Sequence, residues 1–250
     1  MTGIRSYALR DSATMVRRNL RHTLRYPSMT FILVAIPIVF LLLFVYVFGA
    51  TLGAGLGGVS GGRTEYLDYV TPGILLVTVA GAATGTAVSV AMDMTEGIIA
   101  RFRTMAIARV SILTGHVVGS LIQTMISIAV VTGVALLLGF RPTAGPVEWI
   151  SATGLLAMTT FAVIWLSVAL GLVSKSVETA SNLPMPLILL PFLGSGFVPT
   201  GSLPTALRWF AEYQPFTSII ETLRGLLMGT PIDNSGVVAV AWCVGIGLVG

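Results

Sequence analysis

His116 and Ser120 stand four residues apart, one helical turn, in an otherwise apolar stretch. A histidine beside a serine can act as base to a nucleophile, so an intramembrane hydrolase would begin here. No oxyanion arrangement or third orienting group accompanies the pair, and packing or hydrogen bonding is the plainer role. The only lysine, Lys175, follows Ser174 and lacks the glycine-rich loop of G-x-x-x-x-G-K-[ST], so no phosphate cradle is encoded. The single cysteine, Cys243, excludes an intramolecular disulfide, and no cysteine and histidine spacing resembles a metal site. An ion-coupled secondary transporter would call for related halves and ionisable groups at mid-membrane depth, and the charge-free runs carry none there. What remains is charge gathered at the ends of apolar runs, most densely in Glu96 to Arg109.

The elements around that segment follow from composition. Of 250 residues, 55% are hydrophobic and 10% charged, against roughly a quarter charged in soluble domains. The chain reads as an all-α polytopic membrane protein. A helix crosses the hydrocarbon with about 20 apolar residues at 1.5 Å rise each. Met29 to Gly49, Val70 to Met92, Val110 to Phe140 and Trp149 to Val173 are four such runs. Thr179 to Leu207 is also uncharged, but Pro184, Pro186, Pro191, Pro199 and Pro204 forbid one straight helix. A fifth span is predicted near Leu183 to Val198, followed by irregular or re-entrant chain. Ser235 to Gly250 starts a sixth that is short of a full crossing, either ending within the membrane or cut before its natural end. Gly81 and Gly85, then Gly115 and Gly119, have the spacing of close helix packing. Met92, Met94, Met105 and Met125 read as packing.

Basic residues fix the expected orientation, because cytoplasmic connections retain them. With the N-terminus inside, the inner segments hold the six arginines before the first span, Arg101, Arg103, Arg109 and Lys175; the outer ones hold Arg63, Arg141, Arg208 and Arg224. That bias explains the net charge of +4 without nucleic-acid binding. A cleaved signal peptide does not fit so long a basic region with no short apolar core behind it. Residues 1–27 read as a separate N-terminal element. Leu9, Ala13, Val16, Leu20 and Leu24 recur at helical spacing, with Arg10, Arg17, Arg18, Arg21 and Arg25 mainly opposite. Such a basic amphipathic helix lies among headgroups, its arginines facing lipid phosphate and water.

On this topology Glu96 to Arg109 is cytoplasmic. Ile98, Ile99, Phe102, Met105 and Ala106 form one helical face, flanked by Arg101 and Arg103. Glu96 near its start and Arg109 near its end suit the helix dipole. Composition leaves two readings open: an interfacial helix that docks on a partner, and a topogenic loop that is helical.

The runs "YLDYVTPGILLVTVAGAATGTAVSVAMDMTEGIIARFRTMAIAR" and "GFVPTGSLPTALRWFAEYQPFTSIIETLRGLLMGTPI" resemble the corresponding segments of ABC-2 type transporter permeases, particularly the daunorubicin-resistance exporters. The shared pattern falls on Tyr69, Pro72 and Gly73; Asp93, Met94, Gly97, Ile98 and Ile99; Arg101, Phe102 and Arg103; Phe197 to Thr200; Gln214 and Pro215; and Leu223 to Gly225. It runs in order from about Arg17 to Pro231. One departure is visible, Met105 and Ala106 standing where the family usually ends a pair on proline.

The resemblance implies that residues 28–250 form an ABC-2 type transmembrane domain of six helices with a cytoplasmic coupling helix. It implies a permease in the cell membrane that exports drugs or lipid-like molecules, paired with a second permease subunit, identical or not. ATP and magnesium would be bound by a separate nucleotide-binding ATPase subunit, with no cofactor on this chain. Glu96, Ile98, Ile99, Arg101, Phe102, Arg103 and Met105 would form the ATPase-coupling surface. The stretch before the sixth span would form short re-entrant helices on the outer side, with Glu212, Tyr213 and Gln214 at an exit. Charge-free spans suit an amphipathic cargo.

Overall fold

A computed structural model describes residues 14–17, 27–54, 62–95 and 109–250. Among them there is no strand. Helix α1 (Pro27–Leu43) runs through a π-helical turn (Phe44–Phe48) into α2 (Gly49–Ala54). Three long helices follow: α3 (Arg63–Thr95), α4 (Arg109–Leu138) and α5 (Pro146–Val173). Two short ones, α6 (Val177–Asn182) and α7 (Met185–Leu189), precede α8 (Thr205–Tyr213), α9 (Pro215–Met228) and α10 (Ser235–Val249). Four stretches are long and apolar enough to cross a membrane: Phe31–Gly53, Arg63–Thr95, Leu113–Leu138 and Pro146–Val173. They coincide with the first four spans expected from hydropathy.

Helix α3 is the axis of the fold. It packs against α1, α4, α5, α6 and α9, and its apolar stretch is 72% buried against 17% for the first span. The long helices alternate in direction along it. Leu33 of α1 faces Gly81, while Gly49 lies against Arg63 at the start of α3, so the two run antiparallel. His116 of α4 meets Asp93 near the far end of α3, and Arg141, just past α4, donates its backbone N–H to Asp68 near the start. Gly171 of α5 then lies against Ala87 and Val90, back toward Thr95. Gly81 thus serves packing within the chain as its spacing suggests, whereas a methyl at Gly85 would meet nothing within 4 Å. In an apolar solvent such contacts between small residues replace the hydrophobic drive that packs soluble helices.

The fifth span expected from the sequence is not among those four stretches. Leu183 to Val198 is no continuous helix; α6 and α7 are separated by a turn at Leu183 and Pro184, and turns occupy residues 190–197. Each proline lacks the N–H that an α-helix donates four residues back. The broken segment still travels the length of α3. It leaves α5 near the Ala87 level and reaches Tyr66, Tyr69 and Gly73 by Ser195 to Phe197. Helix α10 is shorter than a full crossing, packs on α9 and α5, and brings Gly250 against Trp165 and Leu166.

Candidate functional site

Motif residues from three distant parts of the chain meet at the Arg63 end of α3. Pro72 lies inside the helix there and carries no N–H, which leaves the Asp68 carbonyl without its helix donor. The Arg224 guanidinium, carried by α9, donates from Nη2 to the Tyr69 carbonyl (3.2 Å) and to the Ser195 carbonyl (2.7 Å). Its centre stands 3.9 Å above the Tyr69 ring, a cation–π contact. The Tyr69 hydroxyl donates to the same Ser195 carbonyl (3.0 Å), and the buried Tyr66 hydroxyl to that of Phe197 (3.1 Å). Two tyrosines and one arginine thereby supply the backbone groups of a turn segment that has no helix to satisfy them.

Close approach makes this possible. A side chain at Gly73 would put its Cβ 2.6 Å from the Gly196 carbonyl oxygen, so only glycine lets the turn lie on α3. Phe192 and Phe197 stack at 4.4 Å on the other side of the turn, and Phe44 lies 4.5 Å from Phe197. Phe44 opens the π-helical turn, whose extra residue re-aims the side chains of the first span. Nothing in hydropathy or helical period signals that turn.

Gln214 locks the next connection. Its Oε1 accepts from Phe216 N–H at the start of α9, while Nε2 donates to the Leu190 carbonyl and Thr217 Oγ1, both at 2.9 Å. It is 4% exposed. Its neighbours behave differently. Glu212 is on the surface, paired with Arg208 one turn earlier (2.7 Å), and Tyr213 is 66% exposed with its ring 5.5 Å from that of Trp209. Tyr213 and Gln214 border a shallow apolar groove of about 230 Å³ with Leu190, Trp209, Phe210, Pro215 and Trp242, and Glu212 stands outside it. Nor do Glu221 and Arg224 pair along α9: Arg224 reaches across to α3, and Glu221 accepts from the Ser235 hydroxyl at 3.4 Å.

At the opposite end of α3, Asp93 Oδ2 lies 3.0 Å from His116 Nε2, with both side chains largely buried. His116 Nδ1 is buried and has no hydrogen-bond partner, so neither ring nitrogen engages the Ser120 hydroxyl. The arrangement required of a serine nucleophile and its base is not formed. Beside it, Gly115 admits the backbone of Met15, which is buried, and Arg17 of the same helical turn is exposed. Sequence reasoning took Asp93 only as a motif residue and missed its partner. Glu96, Ile98, Ile99, Arg101, Phe102, Arg103 and Met105, expected from the resemblance to couple to an ATPase, lie outside the described residues, as do Arg10, Arg18, Arg21 and Arg25.

Comparison with known proteins adds to this geometry. Residues 11–228 match the ABC-2 type transporter family. The chain is 29% identical over 246 residues to the daunorubicin resistance ABC transporter permease protein DrrB1 of Streptomyces coeruleorubidus, covering 95% of this chain and 83% of that protein. It is 27% identical over 183 residues to the probable doxorubicin resistance ABC transporter permease protein DrrC of Mycobacterium tuberculosis, covering 72% of this chain and 65% of that one.

Proposed function

Because this chain belongs to the ABC-2 type transporter family, we propose that it is the membrane-spanning permease subunit of an ATP-driven exporter. The observation that carries the reading is the cluster at the Arg63 end of α3, where Tyr69, Gly73, Phe197, Gln214 and Arg224, scattered over the sequence, are packed together. An exporter needs its far end closed while cargo loads, and a broken crossing pinned to a central helix supplies a closed end that can be opened. The N-terminal segment and the α3–α4 connection share the opposite end, which faces the cytoplasm on this reading.

The cargo is an amphipathic or apolar molecule, of the drug or lipid-like class. Relatives named for daunorubicin and doxorubicin resistance favour planar aromatic drugs. The four long helices present apolar surface, with no charge at mid-depth to solvate a strongly polar cargo. ATP and magnesium belong to a separate ATPase subunit, which docks on Glu96 to Arg109. Phe102 is the largest apolar group there, and Arg101 and Arg103 at a wet rim set register more than affinity. Two permease chains, identical or different, work with two ATPase chains in the cell membrane, with lipid against the basic N-terminal helix. The hydrolase alternative loses its ground because His116 Nδ1, the ring nitrogen that Asp93 leaves free, does not engage the Ser120 hydroxyl. Co-expression with the ATPase subunit and native mass measurement test the assembly. Two permeases with two ATPases is the expected mass, and a permease that purifies without any ATPase subunit contradicts it.

A further inference from the structure

The Asp93–His116 pair is the one ion pair among the described residues that is largely withdrawn from solvent, and nothing in the proposed cargo path uses it. A carboxylate and an imidazole buried alone are each costly, so a chain this apolar has reason to keep them only as a pair. Around them the contacts between helices are apolar. Val90 of α3 packs with Val117 of α4 and with Ile164 and Val168 of α5, and such contacts have no preferred register. A directional bond at 3.0 Å does. It joins the last turn of α3 to the second turn of α4, on either side of the chain that connects them.

We propose that Asp93 and His116 are positioning residues that clamp α3 to α4, so that movement delivered at their connection displaces both helices as one body. Helix α3 is 33 residues long, roughly 50 Å at 1.5 Å per residue. Tyr66, Tyr69 and Gly73 at its other end hold the turn at Ser195 to Phe197. The clamp therefore joins the receiving end of the permease to the cluster that must open. Gly115, next to His116, adds the segment carrying Met15 to the same body. Without the clamp, the other directional bond between these elements, from the Arg141 N–H to Asp68, lies at the far end of α3, and a displacement delivered at the connection moves α3 without α4. Contiguous packing permits such transmission, and only a perturbation at the joint demonstrates it.

This inference rests on the exporter reading, and its test separates the two. Asp93→Cys with His116→Cys, in a Cys243→Ser background, is reconstituted with the ATPase subunit and assayed with daunorubicin, before and after a short reducible bis-methanethiosulfonate linker. Unlinked, the variant is expected to assemble, to keep basal ATP hydrolysis within about twofold of the background, and to lose uptake about fivefold or more. Linking restores uptake to within about twofold, and reduction removes it again. Unlinked uptake equal to the background, or confirmed linkage without recovery, overturns the clamp. Should the cysteine pair fail to assemble, Asp93→Leu with His116→Leu removes both polar groups of the contact together. That variant is expected to assemble and hydrolyse ATP without transporting; normal uptake overturns the proposal, and so does failure to assemble, which would make the pair a folding element alone. If the background protein itself takes up daunorubicin without ATP, the exporter reading fails, whatever the variants do.

Discussion

Arg224 ties two segments together in the cluster at the Arg63 end of α3. It gives two charge-assisted hydrogen bonds to carbonyls on different segments and stacks on Tyr69, while its Nε is buried without a partner. Hydrogen bonds from a charged group contribute about 1.5–3 kcal/mol each, and carbonyls left dry and unpaired add to the loss. Arg224→Leu is therefore expected to destabilise the permease by roughly 3 kcal/mol or more. Arg224→Lys keeps the charge and can still donate to both carbonyls, which share one nitrogen, but lacks the planar group that stacks on Tyr69, so it falls between. Thermal unfolding in one detergent orders the three proteins; a leucine variant that melts with the parent would show that Arg224 is a bystander. The residues of this cluster were legible as a motif, Tyr69, Gln214 and Arg224 among them. Their contacts were not. Tyr69 and Arg224 are 155 positions apart, and a single sequence carries no signal of which distant side chains meet.

Elements divide in the same way. The first four spans could be read because about 20 uncharged residues in a row have few other uses. The reading began α3 at Val70, yet the helix starts at Arg63, because Arg63, Glu65 and Asp68 stop a hydropathy window without stopping a helix that projects beyond the hydrocarbon. Proline spacing excluded one straight helix over Thr179 to Leu207, but the span expected at Leu183 to Val198 is not a continuous helix, being made of the short α7 and the turns that flank it. Its course along α3 depends on Gly73, which no local rule singles out from the other glycines of the span. Two substitutions separate a glycine that packing requires from one it does not. Gly73→Ala drives a methyl into the Gly196 backbone and is expected to cost about 1–3 kcal/mol. Gly85→Ala meets nothing within 4 Å and is expected to be neutral or to stabilise by up to about 1 kcal/mol through helix propensity. Equal melting temperatures for the pair would remove the close approach from the account.

For the molecule as a whole, the order of directions along α3 places the Met15 segment and the α3–α4 connection at one end, and Arg63, Asp68 with the Arg141 backbone, and Arg224 at the other. The distribution of basic residues then sets which end is expected to be cytoplasmic. Single cysteines in a Cys243→Ser background, labelled in intact cells with an impermeant thiol reagent, are expected to react at position 63 and to stay unreacted at position 101; labelling at 101 would invert the molecule. The coupling surface of the whole complex could be read only through its motif. Truncating Phe102 to alanine should remove about 1.5–3 kcal/mol of contact if the ring is fully buried in the ATPase subunit, leaving insertion intact and uncoupling hydrolysis from cargo. The central claim is that an ATPase held at one end drives this permease. Its most direct test is daunorubicin accumulation in inside-out vesicles, with the permease at matched levels, with and without the ATPase subunit, under ATP or under an ion gradient alone. The account predicts accumulation only when ATP and the ATPase subunit are both present; accumulation driven by the ion gradient with the ATPase subunit absent would contradict it.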